Sequence, residues 1–250
     1  MSSPKAVLIT GASSGIGLAL ACEYARRGVR VAMVARGKTA LEKATSGIRA
    51  KGGVAVPIVA DVTVTADVQR AVAEAHAALG GLDMVVANAG IGAPKHATEL
   101  TVADVAEVVD VNVRGAFVTL VAALPIFLEQ KRGHLVGISS VAGRRGLPRA
   151  GAYSASKAAL STFLETLRHD LVGTGVRVTD VQPGFVDTPA TANAKSRPFL
   201  VGADEAAKAI VSALKRGPAV FAFPSTVSAA VTASHALPDA VVRFLAKRSS

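Results

Sequence analysis

The sequence predicts an α/β fold in which a doubly wound parallel sheet of about seven strands is covered by helices on both faces. Short apolar runs alternate along the 250 residues with longer Ala-rich stretches of helical character. The first run leads into a glycine-rich turn. An apolar share of 50% suits a large core, and no linker or low-complexity segment divides the chain, so we expect one domain over residues 1–250.

Seven apolar runs are predicted to form the strands of this sheet. They lie at 5–10, 29–35, 54–60, 82–87, 133–139, 176–182 and 218–223. Such runs are typical of parallel strands that are buried on both faces, and the stretches between them are long enough for crossover helices.

The first run, Lys5–Thr10, is followed by Gly11-Ala-Ser-Ser-Gly15-Ile-Gly17 at the start of a helical stretch. Glycines allow a tight turn and a close approach of phosphate to backbone, and the helix N-terminus attracts the anion. The spacing is G-x-x-x-G-x-G rather than the general G-x-G-x-x-G, so an ordinary strand-to-helix turn remains the alternative.

Tyr153 and Lys157 are four residues apart in Tyr-Ser-Ala-Ser-Lys, and Ser140 lies upstream. Residues i and i+4 share a helix face, so the phenol and the ammonium can converge. A nearby cation lowers the pKa of a tyrosine, and a serine hydroxyl can hold a substrate oxygen. The trio predicts carbonyl and alcohol chemistry. A half-buried ring beside a solvated ammonium is the structural alternative.

Several short motifs follow one another in the order and spacing of a known family. They are Thr10–Gly17, Asp61-Val62, Asn88-Ala89-Gly90, Asn112, Ile138–Ser140, Tyr153–Lys157 and Pro183-Gly184. Together they resemble the compact type of short-chain dehydrogenase/reductase, and the resemblance covers roughly residues 4 to 222. It implies a Rossmann-like fold and a nicotinamide cofactor.

The resemblance also implies roles for individual residues. Tyr153 is expected to be the catalytic acid/base, Lys157 to lower its pKa and bind the nicotinamide ribose, and Ser140 to orient the substrate, with Ser139 as the neighbouring candidate. Asn112, which lies within a helix, is expected to hold a water of the proton relay or, alternatively, to face solvent or bend that helix. The implied cofactor-binding residues are Gly11, Ser13, Ser14, Gly15, Ile16, Gly17, Arg36, Asp61, Val62, Asn88, Ala89, Gly90, Tyr153, Lys157, Pro183, Gly184, Val186 and Thr188. Among them, Asp61 is assigned to the adenine amine. Its alternative role is to cap the following helix, and one carboxylate can serve both purposes.

The end of the second strand predicts NADP(H) rather than NAD(H). An NAD-preferring enzyme carries Asp or Glu there, whereas this chain has Ala35 followed by Arg36. A guanidinium binds a 2′-phosphate by charge-assisted hydrogen bonds. Many NADP-preferring relatives have Arg or Lys at the position of Ser14, so the preference rests mainly on Arg36, with Ser14 and Lys38 as helpers. An exposed arginine without a role is the alternative.

The chain carries a net charge of +10, from 28 basic and 18 acidic residues. The basic residues are scattered and aromatic residues are few, so we expect no nucleic-acid partner. No metal site is predicted. The single cysteine, Cys22, cannot form an internal disulfide and fits a reducing compartment. Because the first strand begins close to Met1, we expect no secretory signal and a cytoplasmic location.

A helix from about Thr101 to Gln130 is apolar nearly all round, which predicts burial on two sides. The family resemblance implies that this helix and the Tyr153 helix form a homodimer across a two-fold axis. The Asp-Gly-Gly end of many tetrameric relatives is missing, which leaves a tetramer open. A helix-rich tail at about 224–248 is expected to pack on the domain or on a second subunit, with a peripheral membrane contact as the alternative.

These features predict an NADPH-dependent reductase of a ketone or aldehyde, reversible as an alcohol dehydrogenase. A mostly apolar substrate is expected because the predicted mouth of the site is lined by Pro94, His96, Arg144, Leu147, Phe185 and Pro189. The residues from Thr188 to Ala203 would form a modest lid. Two alternatives stay open. One is a 3-oxoacyl-thioester reductase, whose acidic carrier Arg144 and Arg145 would meet, and the other is an NADP(H)-binding redox sensor with little turnover.

Overall fold

The computed structural model describes residues 4–92, 94–191 and 199–234. The strands are β1 Ala6–Thr10, β2 Arg30–Ala35, β3 Ala55–Val59, β4 Met84–Ala87, β5 Gly133–Ile138, β6 Val176–Pro183, β7 Val186–Asp187, β8 Val201–Gly202 and β9 Val220–Phe223. Seven of them form one sheet of order β3-β2-β1-β4-β5-β6-β9 in which all neighbours are parallel. The predicted doubly wound α/β fold is therefore confirmed.

Helices cover both faces of the sheet. They are α1 Gly15–Arg26, α2 Lys38–Arg49, α3 Thr65–Ala78, α4 Val102–Val109, α5 Ala116–Glu129, α6 Gly151–Asp170, α7 Ala203–Leu214 and α8 Ser225–Ser234. One core cluster joins the sheet to α1, α2 and α7, and a second joins it to α3, α5 and α6. The strand order reverses between β1 and β4, which opens a crevice at the carboxyl edge, where doubly wound sheets bind their ligands.

The central strands are buried at almost every position because helices lie on both sides of them. The outer strand β3 is different, since it has only β2 as a neighbour in the sheet. It contains Pro57, which has no N–H to donate, and its Val59 is exposed. Proline is tolerated in β3 because one side of an edge strand has no hydrogen-bonding partner.

Two features were not predicted. The long helix expected at 101–130 is interrupted between α4 and α5 by a π-helical turn, Asp110–Gly115. Downstream, β7 pairs with β8 as a small parallel sheet beside the main one. Strands of two residues carry no periodic signal, so tertiary contacts alone define them. Helix α8 forms the first part of the expected tail, and residues 235–248 lie outside the described residues.

Candidate active site

The glycine turn between β1 and α1 has the geometry of an anion cradle. Gly11 (φ +67°) and Gly15 (φ +53°) have the left-handed backbone that favours glycine. A Cβ on Gly17 would lie 2.4 Å from the Gly11 carbonyl oxygen, so no side chain fits there. Ser14 precedes α1 and its side chain makes no cap hydrogen bond. The first N–H groups of α1 therefore lack a side-chain acceptor from this residue and suit a phosphate.

Asn88 and Thr10 hold the turn against the end of β4. The Asn88 amide Nδ2 donates to the Thr10 carbonyl at 2.8 Å. The backbone N–H groups of Asn88 and Ala89 both donate to the Thr10 hydroxyl, each at 3.1 Å. The Asn88 side chain thus fixes the glycine turn to the end of β4. Ala89 and Gly90 follow directly in the chain.

Helix α6 places Tyr153 and Lys157 one turn apart at the carboxyl end of β5. The Lys157 Nζ donates to the Ile138 carbonyl at 2.8 Å and lies 5.7 Å from the centroid of the Tyr153 ring. The Ser140 hydroxyl donates to the Pro183 carbonyl at 3.2 Å and is also hydrogen-bonded to the Tyr153 phenol. Ser140, Tyr153 and Lys157, which are separated in the sequence, therefore share one small volume.

Asn112 lies in the π-helical turn and is fully buried. Its Oδ1 accepts from the Ile91 N–H at 2.8 Å, and its Nδ2 donates to the Ile91 carbonyl at 2.9 Å and to the Ser156 hydroxyl at 3.0 Å. The side chain therefore neither faces solvent nor is free. A Cβ on Gly90 would lie 3.2 Å from Asn112 Oδ1 and 3.3 Å from Lys157 Nζ, so Gly90 brings the backbone close to both groups.

Burial affects the pKa values of both Tyr153 and Lys157. Burial raises the pKa of Tyr153 above its ordinary value of 10.0, and the hydrogen bond with Ser140 opposes this only in part. Burial also lowers the pKa of Lys157 to about 8, with Asp180 acting in the opposite direction. Desolvation of the phenolate is the largest influence on the pKa of Tyr153 in this structure. A lowering of that pKa by Lys157 stays a prediction. Like an ordinary tyrosine, Tyr153 is a protonated phenol near neutral pH.

The segment after β6 returns to the glycine turn. A Cβ on Gly15 would lie 3.2 Å from the Thr188 methyl group, so these two predicted cofactor-binding residues are neighbours. The Thr188 N–H donates to the Thr191 hydroxyl at 3.2 Å, and that hydroxyl donates to the Val186 carbonyl at 2.6 Å. Gly184 is anchored through its N–H, which donates to the Phe223 carbonyl at 2.7 Å.

Just beyond the carboxyl end of β2, Arg36 is 60% exposed and its Nη1 lies 3.8 Å from the Asp61 carboxylate. Asp61 Oδ1 accepts from the N–H and the hydroxyl of Thr63, at 2.9 and 2.8 Å. The alternative that Asp61 caps the next helix is wrong, because Val64 is the N-cap residue of α3. The Val62 side chain is buried against the π-helical turn, in one cluster with Val111.

Arg144, which was predicted to line the mouth of the site, is held by hydrogen bonds to other side chains of the chain. Its Nε donates to Gln182 Oε1 at 2.7 Å, and its Nη1 donates to the Ser228 and Thr232 hydroxyls at 3.0 and 2.9 Å. Arg144 is therefore engaged with β6 and α8. The expectation that its guanidinium would meet an acidic carrier is not supported. Across the described residues, no group of three or more His, Cys, Asp or Glu side chains is arranged to hold a metal ion.

Sequence reasoning missed several polar residues that build the site. Thr10, Ser156 and Thr191 hold the cradle, the π-helical turn and the segment after β6, while Asp180 and Gln182 lie buried on β6. One signal was present in the sequence. The predicted strand 176–182 contains the carboxylate Asp180 as well as the polar residues Arg177, Thr179 and Gln182. A carboxylate in a buried strand requires a partner.

Comparison with known proteins agrees with this geometry. The family model described as short chain dehydrogenase matches residues 5–198. An uncharacterized oxidoreductase of Myxococcus xanthus is 44% identical over 245 residues, covering 98% of this chain and 97% of that protein. An uncharacterized oxidoreductase of Staphylococcus aureus is 37% identical over 188 residues, which is 75% of this chain and 80% of the relative.

Solved structures agree as well. A short chain dehydrogenase/reductase of Burkholderia phymatum in complex with NAD superposes with a TM-score of 0.86 at 29% identity, covering 93% of each chain. A 3-ketoacyl-(acyl-carrier-protein) reductase of Brucella melitensis complexed with NADH gives 0.80 at 28% identity, covering 88% of this chain and 97% of the other. With the motifs, the fold and these relatives in agreement, this chain belongs to the short-chain dehydrogenase/reductase family of oxidoreductases.

Proposed function

We propose that this protein is a cytoplasmic NADPH-dependent reductase of a ketone or aldehyde, reversible as an alcohol dehydrogenase, with Tyr153 as the acid/base. The convergence of Ser140, Tyr153 and Lys157 beside the glycine turn is the observation that carries the proposal. A hydroxyl, a phenol and an ammonium at the carboxyl edge of a parallel sheet can orient a carbonyl oxygen and supply its proton.

A nicotinamide cofactor fits the crevice. The cradle has no room for a side chain at Gly11 or Gly17 and presents the N-terminus of α1, which suits a pyrophosphate. Two solved relatives are complexes with NAD or NADH, which supports a cofactor of this class. We propose NADP(H) for this chain because Arg36 is largely exposed and only loosely paired with Asp61, so its charge is free to bind a 2′-phosphate.

When bound, the nicotinamide would supply a hydride to the carbonyl carbon. The Ser140 hydroxyl would hold the carbonyl oxygen, and the Tyr153 phenol, which is protonated near neutral pH, would transfer its proton to that oxygen. The phenolate that remains would be stabilised by the Lys157 ammonium nearby. Asn112 would keep the Ile91 loop and Ser156 in place, and a role in proton relay remains a proposal.

Reduction of a 3-oxoacyl thioester is the second candidate, because one solved relative is a 3-ketoacyl-(acyl-carrier-protein) reductase. The contacts of Arg144 with Gln182 and helix α8 argue against the arginine pair as a docking site for an acidic carrier. We therefore place a free, mostly apolar carbonyl substrate first.

Oxidation of NADPH, followed by its absorbance across a panel of ketones, aldehydes, alcohols and acyl thioesters, tests the proposal. We expect turnover of simple carbonyls with NADPH and much slower turnover with NADH. Faster reduction of thioesters than of free carbonyls would favour the second candidate. Tight NADPH binding without turnover of any compound would instead identify a redox sensor and overturn the proposal.

A further inference from the structure

Asp180 is a carboxylate inside the sheet beneath α6. It lies on β6 with 2% of its surface exposed, on the same face as Val176 and Val178. That face is covered by α6, whose Leu164 packs on Gly137, the residue that pairs with Asp180 across the strands. A charged group at an apolar interface of this kind is costly unless opposite charge and hydrogen bonds compensate it.

Both carboxylate oxygens of Asp180 accept hydrogen bonds from side chains. Its Oδ1 accepts from the Ser139 hydroxyl, and its Oδ2 accepts from Gln182 Nε2 at 2.6 Å. The orientation of Gln182 is determined by its other partner, since Arg144 can only donate and its Nε donates to Gln182 Oε1 at 2.7 Å. Gln182 therefore links the carboxylate to a guanidinium.

Lys157 is the cation on the opposite side. Its Nζ is held at 2.8 Å by the Ile138 carbonyl, on the strand paired with β6, and Ile138 is next to the residue opposite Asp180. Asp180 attracts the ammonium and opposes the loss of its proton, which burial otherwise favours. Lys157 is itself only 4% exposed, so solvent contributes little to keeping it charged.

Several charged groups on other elements that contact α6 are paired with each other or exposed to solvent. Arg114 and Asp110 of the π-helical turn pair at 3.6 Å with about half of each side chain exposed. On α4, Asp104 pairs with Lys95 at 2.7 Å, and Glu107 is exposed. On α6 itself, the Tyr153 phenol carries no charge, and the carboxylates Glu165 and Asp170 are exposed to solvent. Asp180, backed by Gln182 and Arg144, is thus the negative charge placed to act on Lys157.

We propose that Asp180 is a positioning residue whose buried carboxylate is the counter-charge of Lys157 and keeps its ammonium charged and in place, while Gln182, itself held by Arg144, orients that carboxylate. This inference rests on the proposed function for the role of Lys157 in turnover. The charge pair itself is a property of the folded protein and is measurable without substrate or cofactor.

The test is the titration of Lys157 by NMR in full-length protein labelled with ¹³C at lysine Cε. Lys157→Met identifies the Lys157 signal by its loss. Asp180→Asn keeps the side-chain shape and can still accept from Gln182, but it removes the charge. We expect its Lys157 midpoint to fall by about one unit or more, as for loss of a close opposite charge. In the matched control, Gln182→Met removes one hydrogen bond to the Asp180 carboxylate and keeps the carboxylate itself. A much smaller change of the Lys157 midpoint is therefore expected.

An unchanged Lys157 midpoint in Asp180→Asn, or an equal fall in Gln182→Met, would overturn the proposal. Should Asp180→Asn fail to fold, the reciprocal measurement decides. Coupling between two sites acts equally in both directions, so Lys157→Met should raise the midpoint of the Asp180 carboxyl, followed by its ¹³Cγ signal. No rise would overturn the proposal. A confirmed charge pair in a protein that reduces no carbonyl would refute the proposed function alone.

Discussion

Tyr153 and Lys157 are held in an environment that opposes charge on both. Burial raises the pKa of the phenol and lowers that of the ammonium to about 8. A protonated phenol suits the donation of a proton to a carbonyl oxygen, which is the reductive direction. The charge of Lys157 is lost as the pH rises through its pKa, so we expect any contribution of this cation to catalysis to decline above about pH 8.

Replacement of Tyr153 by Phe tests the proton donor. The ring stays and the transferable proton goes, so kcat should fall by at least about 100-fold, the lower range for general acid catalysis. Cofactor affinity, measured by fluorescence titration with NADPH, should change little. The matched control is Tyr24→Phe, because Tyr24 is the other tyrosine and its hydroxyl contacts Met84 in the core. Near-normal turnover of Tyr153→Phe would remove this residue from the mechanism.

Arg36→Ala tests the choice of cofactor. Loss of a charge-assisted hydrogen bond to the 2′-phosphate should weaken NADPH binding by about 1.5–3 kcal/mol and leave NADH binding nearly unchanged. Calorimetric titration of both cofactors measures the difference. Arg132→Ala is the control. Arg132 is 72% exposed and precedes β5, so it lies at the amino ends of the strands, whereas Arg36 follows the carboxyl end of β2. Equal use of NADPH and NADH by the unchanged protein would contradict the assignment.

His134 predicts how stability depends on pH. The ring is buried on β5, its Nε2 donates to the Thr179 hydroxyl at 2.8 Å, and its Nδ1 has no hydrogen-bonding partner. Burial lowers the pKa of His134 from 6.5 to about 3. Between these values the unfolded chain binds the extra proton, so stability falls as the pH decreases, by up to about 1.4 kcal/mol per pH unit.

His134→Gln should remove this dependence. Urea unfolding between about pH 6.5 and 4.5 should show a shallower loss of the free energy of unfolding in the variant than in the parent protein. The matched control is His169→Gln, because His169 is exposed at the end of α6 and its surroundings change little on unfolding. Identical acid slopes for His134→Gln and the parent protein would show that His134 does not carry the effect.

At the scale of elements, α1 depends on the absence of a side chain at Gly17. A Cβ there would lie 2.4 Å from the Gly11 carbonyl oxygen and 2.5 Å from Asn88 Nδ2. Gly17→Ala should push α1 away from the turn and lower the free energy of unfolding by about 1–3 kcal/mol, as overpacking does. Urea unfolding measures the loss, and binding of NADPH should weaken with it.

Gly47→Ala is the control for this substitution. Gly47 lies inside α2, and no atom lies within 4 Å of the place that a Cβ would occupy. The same change there should leave the free energy of unfolding unchanged or raise it by about 0.5–1 kcal/mol. If Gly17→Ala and Gly47→Ala had the same effect, the close approach at Gly17 would not be what this turn requires.

At the scale of the whole molecule, an apolar groove on α3, α5 and α6 remains uncovered in the described chain. Phe117 and Phe163 stack there with ring centroids 3.9 Å apart, next to the half-exposed Val121. The segment Val102–Glu129 is long and apolar enough to cross a membrane by length and composition, but 44% of its apolar window is buried in the fold. We propose that a second copy of the chain covers the exposed part, giving the expected homodimer.

Light scattering of the full chain should give the mass of a dimer, and Val121→Glu should give a monomer, because burying a carboxylate at the interface is costly. Val172→Glu is the control, since Val172 is 80% exposed beyond the end of α6. A monomeric parent protein would refute the dimer. Helix α8 lies against Gly184 and Arg144 of its own chain, so we expect the dimer to survive deletion of the tail.

By itself, the sequence determined the sheet with its helices, the glycine turn, and the trio of Ser140, Tyr153 and Lys157, because these depend on local periodicity and on short motifs. Only the tertiary structure decided the sheet of β7 and β8, the π-helical turn around Asn112, the partners of Arg144 and the raised pKa of Tyr153. These features come from burial and from contacts between residues far apart in the chain. A carboxylate such as Asp180 is visible in the sequence, but the groups that balance its charge are identified only when α6 is placed on the sheet.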